Sequence, residues 1–314
     1  MTTPLVSVVM GVYNGAAHLE ETVQSILSQV DCELELIAID DGSQDGSAQV
    51  LARLAHADAR LRVITQPNAG LTRALVRGCN EARGEFIARQ DVGDISLPIR
   101  LSLQARALAG SPQIAFVSCA HRLMGPAGEP LATTTTPQDR PAGGAVPDPH
   151  HGSVMFRRSA YLQAGGYRPA FYFAQDVDLW SRMIEIGGFH ACPEVLYEAR
   201  FDLDSITARH RPTQQALRAL IDQAATLRRS GASDAPVLAQ AAALRPAPKG
   251  DSTSSSRRGE AAYFVGSCLA QQNDPRARAY LLQSLRSNPL HIKSWLKLAR
   301  LALGTLGFLG SASR

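Results

Sequence analysis

Residues 85–94 read EFIARQDVGD, an apolar-rich segment that runs into two acids. Gly84 breaks whatever precedes it. Glu85–Arg89 is therefore predicted as a strand, with Gln90 and Asp91 at its end and Asp94 three residues beyond. Just upstream, Asn68-Ala69-Gly70 reads as a turn opening a helix from Leu71 to about Ala82. Further towards the N-terminus, Leu61–Thr65 reads as a strand. It follows a helix that turns Val50, Leu51 and Leu54 inward. Leu34–Ile39 is another strand, ending at Asp40-Asp41-Gly42-Ser43, and Leu19, Val23, Ile26 and Leu27 form one face of a helix. Leu5–Val12 is an almost unbroken apolar run, the mark of a strand buried on both faces, closed by the turn Asn14-Gly15. Downstream come a helix over Arg100–Ala109 and a strand over Ile114–Ser118. Strands alternating with helices at this spacing imply an α/β fold with a mostly parallel sheet covered on both faces. Such sheets bind ligands beyond the carboxyl ends of their strands, which is where Asp41 and Asp91 fall.

The remainder of the chain is less regular. Leu123–Pro149, rich in Pro, Gly and Thr, is predicted as a long loop. Order returns at His151–Phe156, and Gln175–Ile186 is predicted as a helix. Beyond Arg209, helical patterns rich in Ala, Leu and Arg run to Ala243. Pro246–Arg258 has linker composition, and Glu260–Ala270, Pro275–Ser287 and Pro289–Leu303 read as three short helices. ARAYLLQSLRSNP (277–289) resembles the second helix of a tetratricopeptide repeat with its closing proline. One such unit is too few for a solenoid, so the expected organisation is an α/β domain over 1–209, a helical segment over 210–245, a linker over 246–258 and a small helical cap over 259–314.

With 314 residues the chain can bury a core of normal size, and its net charge of +4 is too small to imply a nucleic-acid partner. Its five cysteines are odd in number, widely spaced and free of any C-x-x-C pair. That favours reduced thiols over a disulfide frame or a zinc site. The N-terminal MTTPLVSVVMGVYNG has no basic region ahead of its apolar run, and no apolar stretch reaches about 18 residues. The expected location is cytoplasmic.

Several residue groups carry candidate chemistry. Asp40 and Asp41 can accept hydrogen bonds from a base or a ribose, although Asp-Gly-Ser is also ordinary turn chemistry. Asp91 and Asp94, following a buried strand, can hold a hard divalent cation, since Mg²⁺ usually takes one or two carboxylates plus substrate phosphates and Mn²⁺ suits the same donors. Asp176 and Asp178 open a helix, where acids meet the macrodipole favourably; one of them can equally serve as a general base. His150-His151 lacks a partner at zinc spacing and reads as a loop pair. Trp180 and Trp295 read as core residues of amphipathic helices.

The ordered series SVVMGVYNG, AIDDGSQDGS, NAGLTRAL, GEFIARQDVGD, HGSVMFRRS, GGYR and QDVDLWSRM, spanning Leu5 to about Arg209, resembles the family 2 glycosyltransferases. The resemblance implies a GT-A (Rossmann-like) fold, here followed by an all-helical C-terminal extension. It also implies transfer of a sugar from a nucleotide-diphosphate donor to a hydroxyl of a glycan or lipid-linked acceptor, with inversion at the anomeric centre. On the matching positions, Val12, Tyr13, Asn14, Asp40, Asp41 and Gln90 resemble nucleotide-sugar contacts. Asp91 resembles the first acid of the family's DXD metal motif, with Mn²⁺ or Mg²⁺ as cofactor, and Asp176 resembles the catalytic base. The chain departs from the pattern at Gly93, which leaves Asp94 as the second acid, and at Gln175, where the family has Glu before the base. Leu75 stands where the family often has Arg, so Arg73 or Arg77 is the expected substitute.

Other readings make different demands. A nucleotidyltransferase would need a Gly-rich phosphate loop bearing Lys or Arg, which GVYNGAAH does not supply. A degenerate transferase acting as a scaffold draws support only from Gly93 and Gln175. Beyond Asp274 the chain carries Arg276, Arg278, Arg286, Lys293, Lys297, Arg300 and Arg314 and no acid. On amphipathic helices this composition suits either a solvated cap or peripheral contact with an anionic inner-leaflet surface.

Overall fold

The computed structural model describes residues 5–201, 206–244 and 255–311, with side chains for all of these except 206–211, 255–257 and 302–311. Its strands are β1 (Val6–Val12), β2 (Leu34–Asp40), β3 (Leu61–Thr65), β4 (Phe86–Asp91), β5 (Ile95–Ser96), β6 (Ile114–Met124), β7 (Pro130–Thr134), β8 (Met155–Arg157) and β9 (Gly188–Arg200). The helices are α1 (Ala16–Leu27), α2 (Ser47–Ala57), α3 (Leu71–Glu81), α4 (Arg100–Ala109), α5 (Arg158–Gln163), α6 (Gln175–Ile186), α7 (Ile206–Arg229), α8 (Ala235–Ala243), α9 (Ser255–Gln271), α10 (Ala277–Ser287) and α11 (Ile292–Ser311). One sheet runs β3-β2-β1-β4-β8-β6-β9-β5, with β7 pairing β6. The first four strands are parallel, and β8 joins β4 antiparallel.

The apolar run of β1 feeds two cores at once. Val6, Val8, Met10 and Val12 pack with Leu19, Val23 and Ile26 of α1, Leu51 and Leu54 of α2, and Leu101, Ala105 and Leu108 of α4. Val9 points the other way, towards Ala74, Leu75 and Cys79 of α3 and Leu179, Trp180 and Met183 of α6. Alternation along a pleated strand explains why β1 carries apolar residues on both faces, with Ser7 the buried polar exception, bonded to Glu35. The same alternation splits β4: Phe86 and Ala88 enter the first core and Ile87 the second.

Two parts depart from the sequence reading. Leu123–Pro149 is not one loop, because β6 extends to Met124 and β7 pairs back onto it. β9 is not legible as a strand from its pattern: Pro193 interrupts it, and its buried positions do not alternate cleanly.

The chain forms two compact units. The first contains Met1–Arg122, Thr133–Ala199 and Pro212–Arg245, so α8 and most of α7 belong with the sheet; Leu217, Ile221 and Ala241 bury against Phe171 and Ala174. The second contains Leu123–Ala132, Arg200–Arg211 and Pro246–Arg314. Its core is Leu131, Val265, Leu269 and Ala277. α9 and α10 approach closely at Gly266, where a Cβ would lie 2.9 Å from the Leu281 Cγ. Of the expected linker, residues 246–254 lie outside the described residues and 255–258 already belong to α9. All five cysteines are free; Cys79, Cys119 and Cys192 are buried.

Candidate active site

The carboxyl ends of β1, β2 and β4 lie side by side, with Val12 in register with Asp40 and Gly11 with Asp91. Val12 is buried and Tyr13 is exposed at the strand end. Asn14 adopts φ +52°, a conformation Asn tolerates better than most residues. Its side-chain carbonyl accepts the Gln44 N–H at 2.8 Å, and its own N–H donates to Ser43 Oγ at 3.1 Å. Asp40 accepts the Ser43 N–H at 3.0 Å. Asp41 is buried, accepting the Ala69 and Gly70 N–H groups at 2.9 and 2.8 Å and the Gln66 carboxamide at 2.7 Å. Asp41 thus clamps the turn that starts α3. Gly70, at φ +89°, lies against the ring of Tyr172; a Cβ there would be 2.8 Å from the Tyr172 hydroxyl.

On α3, Leu75 is fully buried in the core, which explains why an arginine is absent there. Arg73 and Arg77 are exposed on the opposite face. Arg77 donates to Thr65 O at 3.2 Å and Gln66 Oε1 at 3.3 Å.

Asp91 closes β4 on the same face as Arg89. The Arg89 guanidinium has no exposed surface and donates to Asp91 Oδ1 at 2.7 Å, Val9 O at 2.6 Å and His151 Nε2 at 3.2 Å. Burial is the largest influence and would raise the Asp91 carboxyl, but the charge and hydrogen bond of Arg89 together with His151 and His150 outweigh it and hold the group below the usual carboxylate range. Asp91 still keeps 34 % of its side chain exposed. Gln90 points to the other face and is buried. Its carboxamide donates to Asp94 O at 2.9 Å and accepts from Ser96 Oγ at 2.8 Å and Arg100 at 3.1 Å. Gln90 therefore braces the turn after β4 from inside. Asp94 is also buried, and its Oδ2 accepts the Tyr197 hydroxyl at 2.8 Å. Gly93 sits at φ +96° with its N–H on Thr22 Oγ1 at 2.9 Å, a backbone shape that disfavours an acid side chain at this position.

The histidine pair is not a loose loop. His151 forms a 3₁₀ turn with Gly152 and Ser153. Burial lowers His151 to about 3 and His150 to about 4, so both are neutral near pH 7. His151 Nε2 accepts from Arg89 and lies 2.8 Å from the Tyr167 hydroxyl, so the neutral ring carries its proton on Nδ1. Gly152 is required by close approach: a Cβ would lie 2.1 Å from the Tyr197 hydroxyl and 3.1 Å from Asp91 Oδ2.

Asp176 and Asp178, two residues apart in the first turn of α6, have opposite surroundings. Asp178 is fully buried and ion-paired with Arg168 and, at 2.6 Å, with Arg182. Asp176 is half-buried, and its Oδ1 accepts the Val177 N–H at 2.9 Å. Burial raises its carboxyl above the ordinary value, with Asp148 adding to the effect. Its charge also reaches Tyr167, whose hydroxyl is pushed well up, mainly by burial. A bonded chain therefore runs from Asp91 through Arg89 and His151 to Tyr167, whose hydroxyl also feels the charge of Asp176. Arg89, His151, Gly152, Tyr167 and Tyr197 are the site residues that sequence reasoning missed. The HGS and GGYR segments were the available signal for three of them.

Among the described residues, no three metal-ligating side chains converge. The donor set fits a hard divalent ion only where a diphosphate and water complete the coordination, with Asp91 as the protein carboxylate; Mg²⁺ commonly binds in this way.

A family model described as Glycosyl transferase family 2 matches residues 7–164. EpsE of Bacillus subtilis (strain 168) is 35% identical over 213 residues, covering 66% of this chain and 76% of that protein. The O-antigen biosynthesis glycosyltransferase WbnJ of Escherichia coli is 27% identical over 198 residues, covering 62% and 75%. Among solved structures, S. aureus TarS in complex with UDP superposes with TM-score 0.55 at 14% identity, covering 90% of this chain and 88% of that one. Mannosyltransferase PcManGT from Pyrobaculum calidifontis, in complex with GDP-Man and Mn²⁺, gives 0.56 at 19%, covering 98% and 88%. The fold is GT-A, and no helix among the described residues is long and apolar enough to cross a membrane. With its strand-end acids, its ordered motifs and these relatives in agreement, the chain belongs to glycosyl transferase family 2.

Proposed function

We propose that this glycosyltransferase moves a sugar from a nucleotide-diphosphate donor to a hydroxyl of a glycan or lipid-linked acceptor, inverting the anomeric centre. The observation that carries the reading is the division of labour at the start of α6: Asp178 is neutralised by two arginines, while Asp176 stands half-open with a raised pKa and its charge reaches Tyr167, the end of the Asp91 network. A carboxylate whose pKa is raised towards the working pH is a better proton acceptor. Asp176 takes the acceptor hydroxyl's proton, the oxygen bonds to the anomeric carbon from the opposite face, and the nucleoside diphosphate leaves with the bonding pair. Arg89 fixes Asp91, and Asp41 shapes the turn against which the nucleoside lies, with Val12, Tyr13, Asn14 and Asp40 at the same strand ends. Arg73 and Arg77 lie on the exposed face of α3, within reach of solvent-borne phosphates. A divalent cation, Mn²⁺ or Mg²⁺, held by Asp91 would neutralise the departing diphosphate. Asp94 supports that site through Tyr197.

The likeness to WbnJ supports a role in building a surface polysaccharide or glycoconjugate, and the UDP and GDP-Man complexes of TarS and PcManGT support the donor class. A thermal-shift panel of UDP-, GDP- and dTDP-sugars with and without Mn²⁺ tests the reading. At a hundred times its Kd a true donor adds about 2.7 kcal/mol. Silence across the panel would favour the scaffold alternative.

A further inference from the structure

Trp295 is not a core residue. It is 57% exposed, and with Ile292 (70%) and Leu296 (57%) it forms an apolar strip on the outer side of α11, with Leu290 (86%) exposed just before the helix. Positions 292, 295, 296 and 299 follow the i, i+3, i+4, i+7 spacing of one helix face, and Ala299 is exposed as well. The opposite face accounts for how α11 is held. Ser294 is fully buried and donates to Ser284 Oγ of α10 at 3.0 Å, while Leu298 and Leu301 are partly covered. The indole N–H of Trp295 donates to Pro289 O at 2.9 Å, so its one polar atom is satisfied and the ring presents hydrocarbon to solvent.

Charge identifies what this strip fits. Residues 275–314 contain seven Arg or Lys and no Asp or Glu, whereas the first 274 residues carry 25 basic and 28 acidic side chains, a net of −3. On α11 itself Lys293 and Arg300 are exposed beside the strip, and Lys297 is partly exposed. We infer that the outer face of α11 docks on an anionic phospholipid surface, with Trp295, Ile292 and Leu296 entering the headgroup boundary and the flanking cations contacting lipid phosphates. Aromatic rings favour that depth. Lysine and arginine stems can lie along the apolar layer while their heads reach the phosphates, and an interfacial helix combines these two features. A second copy of the chain fits less well, since two such faces would bring Lys293, Lys297 and Arg300 of both copies together. The inference rests on the second compact unit and stands whether or not the donor reading is correct.

The test uses the full-length protein with vesicles of phosphatidylcholine alone or of equal parts phosphatidylcholine and phosphatidylglycerol. Co-flotation is expected with the anionic vesicles only, reversed by high salt. Trp295 emission should shift to the blue and resist acrylamide quenching, against the constant background of the buried Trp180. Trp295→Ser with Leu296→Ser should weaken vesicle partition by roughly tenfold or more, and so should Lys293→Glu with Lys297→Glu, through loss of apolar and electrostatic attraction respectively. Lys297 is the one partly covered member of these pairs, and unchanged thermal melting will verify the fold. Failure of the native chain to float with anionic vesicles overturns the inference. So does equal binding by folded variants. Self-association that Trp295→Ser abolishes, without vesicle binding, would assign the strip to a second copy and equally overturn it.

Discussion

Asp178→Asn and Asp176→Asn change neighbouring acids on one helical turn, yet the structure requires opposite phenotypes. Asp178 has no exposed surface, and its two oxygens take Arg168 Nε at 3.1 and 3.0 Å and Arg182 Nη2 at 2.6 Å. Removing one partner of a buried ion pair costs about 3–5 kcal/mol, because the remaining charge stays buried and uncompensated. Arg168 keeps Asp234 at 2.7 Å, so the loss falls mainly on Arg182, and the lower end, about 3 kcal/mol, is expected. At about 2–4 °C per kcal/mol for a protein of this size class, melting should fall by about 6–12 °C. Asp176 behaves in the reverse sense. Its folded pKa is raised by burial, so ionisation is costlier in the fold than in the unfolded chain. Its stabilising contribution is complete below the unfolded value of about 3.9 and is lost as pH climbs through the folded value. Near pH 7, Asn at position 176 should therefore leave melting unchanged or slightly raised. Transfer should drop by about 10²–10⁴, the usual contribution of a general base, with donor affinity intact. Differential scanning fluorimetry and a nucleoside-diphosphate release assay read both quantities. A stable, inactive Asp178→Asn beside an active Asp176→Asn would refute the assignment.

Asp91→Asn should abolish the Mn²⁺-dependent part of the nucleoside-diphosphate thermal shift; an undiminished shift would remove Asp91 from the metal site. Initial rates should fall as pH drops through the raised Asp176 pKa, because only the carboxylate accepts a proton; a pH-independent rate across the acid limb would contradict the base role. Gly152→Ala places a methyl 2.1 Å from the Tyr197 hydroxyl and should cost about 1–3 kcal/mol as an overpacked site, measured by urea titration. A urea midpoint like that of the native chain would show that the 3₁₀ turn can move.

The parallel half of the fold was readable because its physics is local. β1 needs apolar residues on both faces to feed two cores, and α4 and α6 begin and end where their patterns predict. The antiparallel half was not, since β8 is three residues long and β9 carries Pro193, so their pairing depends on partners far away in the sequence. The site divides in the same way. Asp91 and Asp176 were legible as acids at element starts and ends. Arg89 was not: an arginine in a buried strand has no local signature, and only the pairing of β4 with β1 and the 3₁₀ turn at His151 reveals its acceptors. Gln90 shows the limit of proximity in sequence, because pleating turns it away from the face that Asp91 shares with Arg89.

The Arg89 contact also bears on the departures from the family pattern. A DXD motif places a second carboxylate two residues after the first. Here that position is Gly93, at φ +96° and bonded to Thr22, and Asp94 is committed to Tyr197. A single carboxylate presented to a cation has weaker orientational control than a pair. Arg89 supplies such control from behind, holding one oxygen of Asp91 and leaving the other directed at the neighbourhood of Gly152. His151, kept neutral by burial, accepts from Arg89 and thereby fixes the guanidinium plane. On this account the substitution at position 93 would be compensated within the protein, and a cation held by Asp91 would take its remaining donors from the diphosphate. That makes metal affinity depend on bound nucleotide: Mn²⁺ alone should produce little thermal shift, and Mn²⁺ with nucleoside diphosphate should produce far more than the two added separately.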